Sequence, residues 1–321
     1  MHKIEIREPA SAIAEPERAV ARDVAYLKTL FVNLFFYGKP GAPSGSWVLI
    51  DAGLPGSAPW IFGAAEERFG PSAHPSAIIL THGHFDHVGA LHSLLEKWDV
   101  PVYAHRLELP YLTGRSAYPP PDPTVGGGAM AAMSRFYPRG PYNFGDRVQP
   151  LPPDGSVPEM PGWRWIHTPG HSPGHVALFR QSDRTLIAGD AFVTTRQESA
   201  MSALTQRAEI SGPPAYFTTD WVAARRSVEQ LVALAPLRVI TGHGPPLEGE
   251  EMLENLRQLA RSFDRVAVPR QGRYVGQPAV ADERGVVSIP PPVPDPLPRA
   301  LLGLGVVMLA GALLSRPGRR G

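Results

Sequence analysis

Four side chains that can bind a metal ion lie within one six-residue segment: His82, His84, Asp86 and His87. The apolar run 77–80 directly precedes this segment, and a short apolar run bounded by a turn is typical of a buried strand. Imidazole and carboxylate groups bind zinc, iron and manganese, and neither is easily buried without a partner. The sequence therefore predicts a metal-binding turn that leaves the carboxyl end of a strand and enters a helix over about 89–98.

Three further metal-capable residues stand in glycine-containing turns along the chain. His171 ends the sequence Thr-Pro-Gly-His, Asp190 ends Ala-Gly-Asp, and His243 lies within Thr-Gly-His-Gly. Upstream, Asp51 follows the apolar run 48–50. One tetrahedral zinc ion needs only three protein ligands and a water. The number of candidate ligands therefore predicts two metal ions.

The pattern His-x-His-x-Asp-His, followed by these turns in this order, resembles the signature of the metallo-β-lactamase-fold hydrolase superfamily over about residues 30–260. The resemblance implies an α/β fold of four layers (αβ/βα), with two mixed sheets sandwiched between helices. It also implies a dinuclear hydrolase in which a hydroxide shared by two divalent metal ions attacks the substrate. Zinc is the favoured metal, and iron and manganese stay open because the same ligands accept them.

The resemblance also implies individual roles. The implied ligands are His82, His84 and His171 for one ion, Asp86, His87 and His243 for the other, and Asp190 as the bridge between them. Asp86 is in addition the candidate catalytic residue that carries a proton to the leaving group. Asp51 would accept a hydrogen bond from a ligand imidazole and fix its tautomer. For His167 and His175, which flank the His171 turn, supporting roles are favoured over ligation.

The chain resembles the glyoxalase II and lactonase branch of this superfamily more than the true β-lactamases. Those enzymes commonly lack the bridging aspartate, and one large class uses a cysteine ligand, whereas this chain has no cysteine. The branch hydrolyses thioesters, lactones and similar acyl compounds. Two alternatives stay open: a mononuclear iron enzyme of the persulfide dioxygenase kind, and a phosphodiesterase or nuclease of the same fold.

The charge balance bears on partners and location. Lys and Arg number 31 and Asp and Glu number 30, giving a formal net charge of +1. Nucleic-acid binding usually requires a clustered basic face, so we expect a small-molecule substrate and no nucleic acid. The absence of cysteine rules out disulfides, and the N-terminal residues lack the apolar core of a secretory signal. These features predict a cytoplasmic protein and leave the oligomeric state open.

Composition divides the chain into four parts. These are a polar lead-in (1–24), the hydrolase domain (25–268), a linker rich in proline and glycine (269–298) and a short apolar segment with basic flanks (299–321). Within the domain, the irregular stretch 106–160 carries scattered aromatic residues, which favours a lid. The apolar run 300–314 is shorter than the roughly 20 residues that span a bilayer. Membrane association through this segment and a core or oligomerisation helix both stay open.

Hydrophobic periodicity predicts the elements that position these residues. A β-hairpin is expected from two strands, 27–37 and 47–51, and three further strands at 163–167, 176–180 and 185–188. Helices are expected over 58–69, over 221–234 with Asp220 as N-cap, and over 250–266. Alternation of strands and helices is typical of a layered α/β architecture.

Overall fold

Seven strands form the first sheet, in the same order as in the chain, within a computed structural model that describes residues 18–205 and 207–294. They are β1 (Arg18–Ala21), β2 (Val24–Thr29), β3 (Val32–Tyr37), β4 (Val48–Ile50), β5 (Ala77–Ile79), β6 (Val102–Ala104) and β7 (Val148–Pro150). Neighbours are antiparallel from β1 to β4 and parallel from β4 to β7. Ile50 of β4 pairs with Ile79 of β5, so the segments after both strands leave the sheet at one edge.

Five strands form the second sheet, in the order β12-β11-β10-β9-β8. They are β8 (Trp163–His167), β9 (Val176–Arg180), β10 (Thr185–Ile187), β11 (Arg238–Ile240) and β12 (Leu247–Glu248). β10 and β11 are parallel, with Ile187 opposite Ile240, and the other neighbouring pairs are antiparallel. The carboxyl ends of β10 and β11 therefore also share one edge.

The α-helices are α1 (Ala58–Phe69), α2 (Phe85–Val88), α3 (Leu91–Lys97), α4 (Leu109–Leu112), α5 (Ala129–Met133), α6 (Ala200–Thr205), α7 (Trp221–Ala233), α8 (Gly249–Arg261) and α9 (Phe263–Val266). Short 3₁₀ turns occur at Pro123–Val125, Ser134–Phe136 and Gly145–Arg147. The longest helices have 13 residues. Among the residues that the structure describes, no helix has the length and apolar character needed to cross a membrane.

Three buried clusters define four layers. Ile61 of α1 and Leu94 of α3 pack on the outer face of the first sheet. Phe35 of β3 and Leu178 of β9 belong to the cluster between the two sheets. Val228 of α7 belongs to the cluster that covers the outer face of the second sheet. The predicted αβ/βα architecture is therefore confirmed, and strands covered on both faces account for the continuous apolar runs in the sequence.

Several predicted elements have the expected position and bounds within a residue. The helix predicted over 58–69 is α1, and the three strands predicted from residue 163 onward are β8, β9 and β10. The Asp220 carboxylate accepts a hydrogen bond from the backbone N–H of Ala223 and caps α7 as predicted. β3 and β4 pair as the predicted hairpin.

The strand predicted over 27–37 is two strands. β2 ends at Thr29, β3 begins at Val32, and Leu30 between them has a φ of 59°. Turns with left-handed backbone usually carry glycine or asparagine. Because leucine occupies this position, the sequence shows no turn signal between the two strands. The helix expected over 89–98 is α3, and the short helix α2 before it was not expected. The helix expected over 250–266 divides into α8 and α9.

The lead-in predicted up to residue 24 is too long. β1 adds an edge strand at Arg18–Ala21, and β2 begins at Val24. The first residues of β1 are exposed, as the residues of an edge strand can be, so no apolar run marks the strand. Residues 1–17 lie outside the described part of the chain.

The linker predicted over 269–298 is partly a folded element. Within it, β13 (Val280–Asp282) and β14 (Gly285–Ser288) form an antiparallel hairpin, and the Tyr274 side chain is buried. The high proline and glycine content of this stretch is typical of a linker, so composition did not indicate that the stretch packs against the domain. The predicted apolar segment 299–321 and the residues that lead to it from 295 lie outside the described residues.

The stretch predicted as an irregular lid, 106–160, has short elements of its own. α4, α5, the three 3₁₀ turns and β7 all fall within it. Tyr137 from this stretch contacts Phe85 at a ring-centroid distance of 5.2 Å and Phe217 at 6.0 Å, and both phenylalanines lie next to the metal-capable histidines. The segment thus packs over that part of the molecule, and its role as a lid stays a prediction.

Candidate metal centre

The metal-capable residues follow the strands that end at the shared edges of the two sheets. Asp51 follows β4, the segment beginning at His82 follows β5, Asp190 follows β10, and His243 follows β11. His171 precedes β9, which runs antiparallel to β10 and so begins where β10 ends. This topology brings residues from five separate segments to one place.

Every residue that the sequence predicted as a metal ligand lies in this place and is buried. Three groups have ligand atoms within 4.8 Å of one another: His82, His84 and His171; His82, His87 and Asp190; Asp86, His87 and His243. The first and third groups match the two predicted ligand sets, and the second links them through Asp190. Each group could hold one metal ion.

The Asp190 carboxylate lies between the two ligand sets. Its Oδ2 atom is 3.1 Å from His243 Nε2, 3.5 Å from His171 Nε2 and 3.7 Å from His87 Nε2. One oxygen thus faces imidazoles of both sets, which is the position that a bridging carboxylate needs. Within the sets, His84 Nδ1 lies 2.9 Å from His171 Nε2, and Asp86 Oδ2 lies 3.5 Å from His243 Nε2.

Hydrogen bonds on the outer side of the rings orient two of the imidazoles. His87 Nδ1 lies 2.8 Å from Asp51 Oδ2, and His243 Nδ1 lies 2.8 Å from the carbonyl oxygen of Phe31. Because both partners are acceptors, each Nδ1 carries a proton and each Nε2 faces the centre. Outer partners of this kind fix the tautomer and orientation of metal-binding histidines.

Threonine hydroxyls orient two more rings in the same sense. Thr218 donates to the Pro214 carbonyl at 2.9 Å, so its oxygen is free to accept from His171 Nδ1 at 3.4 Å. Thr81 donates to Asp51 Oδ2 at 2.8 Å and lies 3.1 Å from His82 Nδ1. Both histidines therefore also direct Nε2 inward.

Asp51 has the contact that the sequence predicted. Besides the His87 imidazole, it accepts hydrogen bonds from the backbone N–H and the hydroxyl of Thr81, both at 2.8 Å. Its own backbone has a φ of 61°, an uncommon conformation for a residue other than glycine. The carboxylate is thus fully engaged in holding the turn that begins at His82.

Three inward-facing atoms of the centre lack a hydrogen-bond partner among the described residues: His82 Nε2, His87 Nε2 and Asp190 Oδ1. Buried polar atoms in folded proteins almost always have a partner. A cation would satisfy two imidazole lone pairs and a carboxylate oxygen together. The donor set, nitrogen and oxygen without sulfur, suits zinc, iron or manganese, so the residues fit a metal centre.

The electrostatics of the centre also suit a cation. Burial and neighbouring imidazoles hold the pKa values of His82 and His84 well below the usual range, and burial lowers the pKa of His171 to about 4. Burial opposes ionisation of Asp190, yet His243 and His87 hold its pKa well below the usual range. At His87 and His243 burial acts in the same direction but the nearby Asp190 carboxylate outweighs it and raises the pKa. Neutral imidazoles at His82, His84 and His171 beside an ionised carboxylate are the protonation states that metal ligation requires.

His175 has a contact that the sequence did not predict. Its Nε2 accepts a hydrogen bond from the backbone N–H of Asp190 at 2.8 Å, while its Nδ1 lies 2.8 Å from the Thr168 hydroxyl. The side chain is fully buried. The His167 ring instead stacks on the ring of His105, with ring centroids 4.2 Å apart.

Aromatic side chains surround the centre. Phe217 stacks on His84 with ring centroids 4.4 Å apart, and Tyr118 meets the same imidazole edge-on at 4.7 Å. Phe31 stacks on His243 at 6.2 Å. Sequence analysis did not find these residues, because single aromatic residues in loops carry no periodic signal.

Comparisons with known proteins agree with this geometry. A family model described as the metallo-beta-lactamase superfamily matches residues 28–243. "Probable metallo-hydrolase YflN" of Bacillus subtilis (strain 168) is 46% identical over 246 residues, which cover 77% of this chain and 93% of that protein. "Probable metallo-hydrolase YybB" of the same strain is 31% identical over 183 residues, covering 57% and 70%.

One solved structure shows the same fold at lower identity. It is described as the first B3 metallo-beta-lactamase with an active site glutamic acid, and its TM-score to this chain is 0.53. The sequences are 19% identical, and the likeness covers 78% of this chain and 88% of that one. At this identity the likeness concerns the fold.

Proposed function

This chain belongs to the metallo-beta-lactamase superfamily, and from that premise we propose that it is a dinuclear metal-dependent hydrolase of thioesters, lactones or similar acyl compounds. The observation that carries the proposal is the pair of ligand sets joined by Asp190, with three buried ligand atoms that have no hydrogen-bond partner in the described part of the chain. Zinc is the proposed metal, and iron and manganese would fit the same ligands.

The proposal assigns each ligand set to one metal ion. His82, His84 and His171 would hold one ion and Asp86, His87 and His243 the other, with Asp190, which lies near imidazoles of both sets, as the shared ligand. When bound, such a pair of divalent cations supplies a hydroxide at neutral pH and polarises the substrate carbonyl.

Asp86 is the proposed proton carrier. Burial raises the pKa of its carboxyl group above the usual range, although His87 and His243 act in the opposite direction. A carboxyl group with a raised pKa is better suited to accept a proton and return it to a leaving group.

The surroundings of the centre support an uncharged acyl substrate. Burial first, and then the charge of Asp86, raise the pKa values of Tyr137, Tyr142 and Tyr216, which places all three tyrosines within electrostatic reach of that carboxylate. Their phenol groups stay protonated and can donate hydrogen bonds. The rings of Phe217 and Tyr118 beside His84 offer apolar contact to the acyl part of such a substrate.

Metal content and substrate range test this function together. We expect elemental analysis of the chain purified without added metal to give two ions, and we expect the loaded protein to hydrolyse thioesters or lactones faster than phosphodiesters. His84→Ala removes a ligand and should lower both metal content and turnover. His92→Ala, at an exposed histidine, is the matched control and should change neither.

Other outcomes would contradict the proposal in different ways. A single iron per chain, with oxygen consumption on a persulfide, would replace it with the dioxygenase alternative. Preferential cleavage of phosphodiesters would replace the substrate class. A chain that takes up no metal even after reconstitution would overturn the metal centre itself.

A further inference from the structure

Glu108 is a buried carboxyl group outside the ligand set. Its side chain is fully buried, and it follows β6 just before α4, within the stretch that the sequence marked only as irregular. The sequence offered no signal for it, because one glutamate in an irregular segment is usually a solvated surface residue.

Four hydrogen-bond donors converge on this carboxyl group. Its Oε1 accepts from the Ser172 hydroxyl at 2.8 Å and from the Gly174 N–H at 2.7 Å. Its Oε2 accepts from the Gly83 N–H at 3.0 Å and from the Tyr118 hydroxyl. Four donors, with no acceptor among the residues that the structure describes, suit an ionised carboxylate, which only accepts. Burial raises the pKa of this carboxyl group, and the four hydrogen bonds act in the opposite direction.

Three of these donors belong to the two loops that carry one ligand set, and the fourth, the Tyr118 hydroxyl, lies in the irregular stretch 106–160. Gly83 lies between His82 and His84, and Ser172 follows His171 directly. The carboxylate therefore joins the loop of His84 to the loop of His171, which lies 87 residues later in the chain. In space, His84 Nδ1 and His171 Nε2 are only 2.9 Å apart.

The glycines in both loops allow this close approach. A Cβ atom at Gly174 would lie 2.8 Å from Glu108 Cγ, and one at Gly83 would lie 2.8 Å from Leu112 Cδ2 of α4. Side chains at either position would push the loop away from the carboxylate. The packing thus leaves room for backbone N–H groups and little else.

We propose that Glu108 is a positioning residue that holds the two loops at the separation that metal binding by His82, His84 and His171 requires. The inference rests on the proposed metal centre. Hydrogen bonds to charged groups are stronger than neutral ones, and a single carboxylate that receives four of them fixes both loops at once. Loss of such a supporting partner typically costs 10–100-fold in metal affinity.

Zinc titration of the metal-free full-length chain, in competition with a chromophoric chelator, tests the proposal. Glu108→Gln keeps the size of the side chain but turns an NH₂ group towards two of the four donors. We expect the affinity for one of the two zinc ions to fall about 10–100-fold, while the affinity for the other is unchanged. The ligand-field absorption of bound Co²⁺ should change for the same site.

Asp122→Asn is the matched control. The Asp122 carboxylate is also buried and accepts from the Thr124 N–H, the Thr124 hydroxyl and the Arg273 N–H, but these donors lie in loops without metal ligands. This variant should lose stability and keep both zinc affinities. A merely structural role for Glu108 would give the two variants the same profile.

Ser172→Ala keeps the test decisive if Glu108→Gln does not fold. It removes one of the four donors and should weaken the same zinc site to a smaller extent. Wild-type zinc affinity in Glu108→Gln, or in Ser172→Ala should the first variant not fold, would overturn the inference while leaving the proposed function intact. A wild-type chain that binds no zinc would overturn the proposed function first.

Discussion

At the scale of single residues, His175 shows how a side chain outside the proposed ligand set can position a residue within that set. Its Nε2 accepts the Asp190 N–H, and its Nδ1–H donates to the Thr168 hydroxyl, so the neutral ring has one defined tautomer. Burial holds the pKa of His175 well below the usual range, which keeps the acceptor available. The backbone of the proposed bridging residue is thereby fixed on its buried side.

Replacement of His175 by leucine should therefore affect both stability and metal binding. The Asp190 N–H would be buried without a partner, which costs about 1–3 kcal/mol of unfolding free energy. We expect weaker binding of both zinc ions, because Asp190 contacts imidazoles of both sets. Urea unfolding of the metal-free protein and zinc titration measure the two effects separately.

His175→Gln is the matched control, since its amide oxygen can accept the same N–H. It should recover most of the stability and of the zinc affinity. Equal losses in the leucine and glutamine variants would show that the ring is needed for packing and not as an acceptor.

The residues that the sequence revealed differ in kind from those that it did not. His82 and His84 were found because metal ligands cluster at short, recognisable spacings. His175 and Glu108 act through hydrogen bonds to backbone N–H groups that are 15 and 25 or more residues away. Such contacts depend on how loops approach one another, and no local pattern of side chains encodes them.

At the scale of elements, the loop that carries His171 is fixed by the start of α7. The carbonyl oxygen of Gly170 accepts hydrogen bonds from the N–H groups of Thr219 (2.9 Å) and Asp220 (3.0 Å). Gly170 has a φ of 133°, and a Cβ atom there would lie 2.5 Å from the Ala224 Cα atom in α7. The loop and the helix are therefore in direct backbone contact.

Gly170→Ala should separate the loop from α7. Strain of this kind costs about 1–3 kcal/mol, and the collision with Ala224 adds to it. We expect a lower midpoint of thermal unfolding and weaker zinc binding through displacement of His171. Gly63→Ala is the control, because Gly63 is exposed in α1 with open space at its Cβ position. That variant should gain up to about 1 kcal/mol through helix propensity.

An unchanged zinc affinity in Gly170→Ala would mean that the loop moves without disturbing its ligand. Elements such as α7 were predictable because periodicity and the Asp220 cap lie within the element itself. The turn at Leu30 was not, because its left-handed backbone is imposed by the pairing of β2 with β3 and not by its own residue type.

At the scale of the whole molecule, residues 269–288, after α9, belong to the folded body. Tyr274 is buried, and its hydroxyl donates to the Pro120 carbonyl at 2.6 Å. The N–H of Ala279 donates to the Thr219 carbonyl at 3.0 Å, beside the loop that contacts Gly170. The N–H of Val286 in β14 donates to the Ser116 hydroxyl at 3.2 Å. This C-terminal strap (269–288) therefore holds the irregular stretch 106–160 against the second sheet.

Two truncations test the domain boundary predicted at residue 268, because the strap lies beyond it. A chain that ends at residue 268 loses the buried Tyr274 ring, and the loss of one buried aromatic side chain costs about 3–5 kcal/mol. For a domain of this size each kcal/mol lowers the midpoint of thermal unfolding by about 2–4 °C, so we expect a fall of about 6–20 °C. A chain that ends at residue 294 keeps the strap and should unfold at a temperature higher than that of the shorter chain by this amount. Equal midpoints for the two truncations would restore the boundary that composition predicted. A lower midpoint only in the shorter chain would show that proline and glycine content can conceal a folded element whose stability comes from contacts made elsewhere in the sequence.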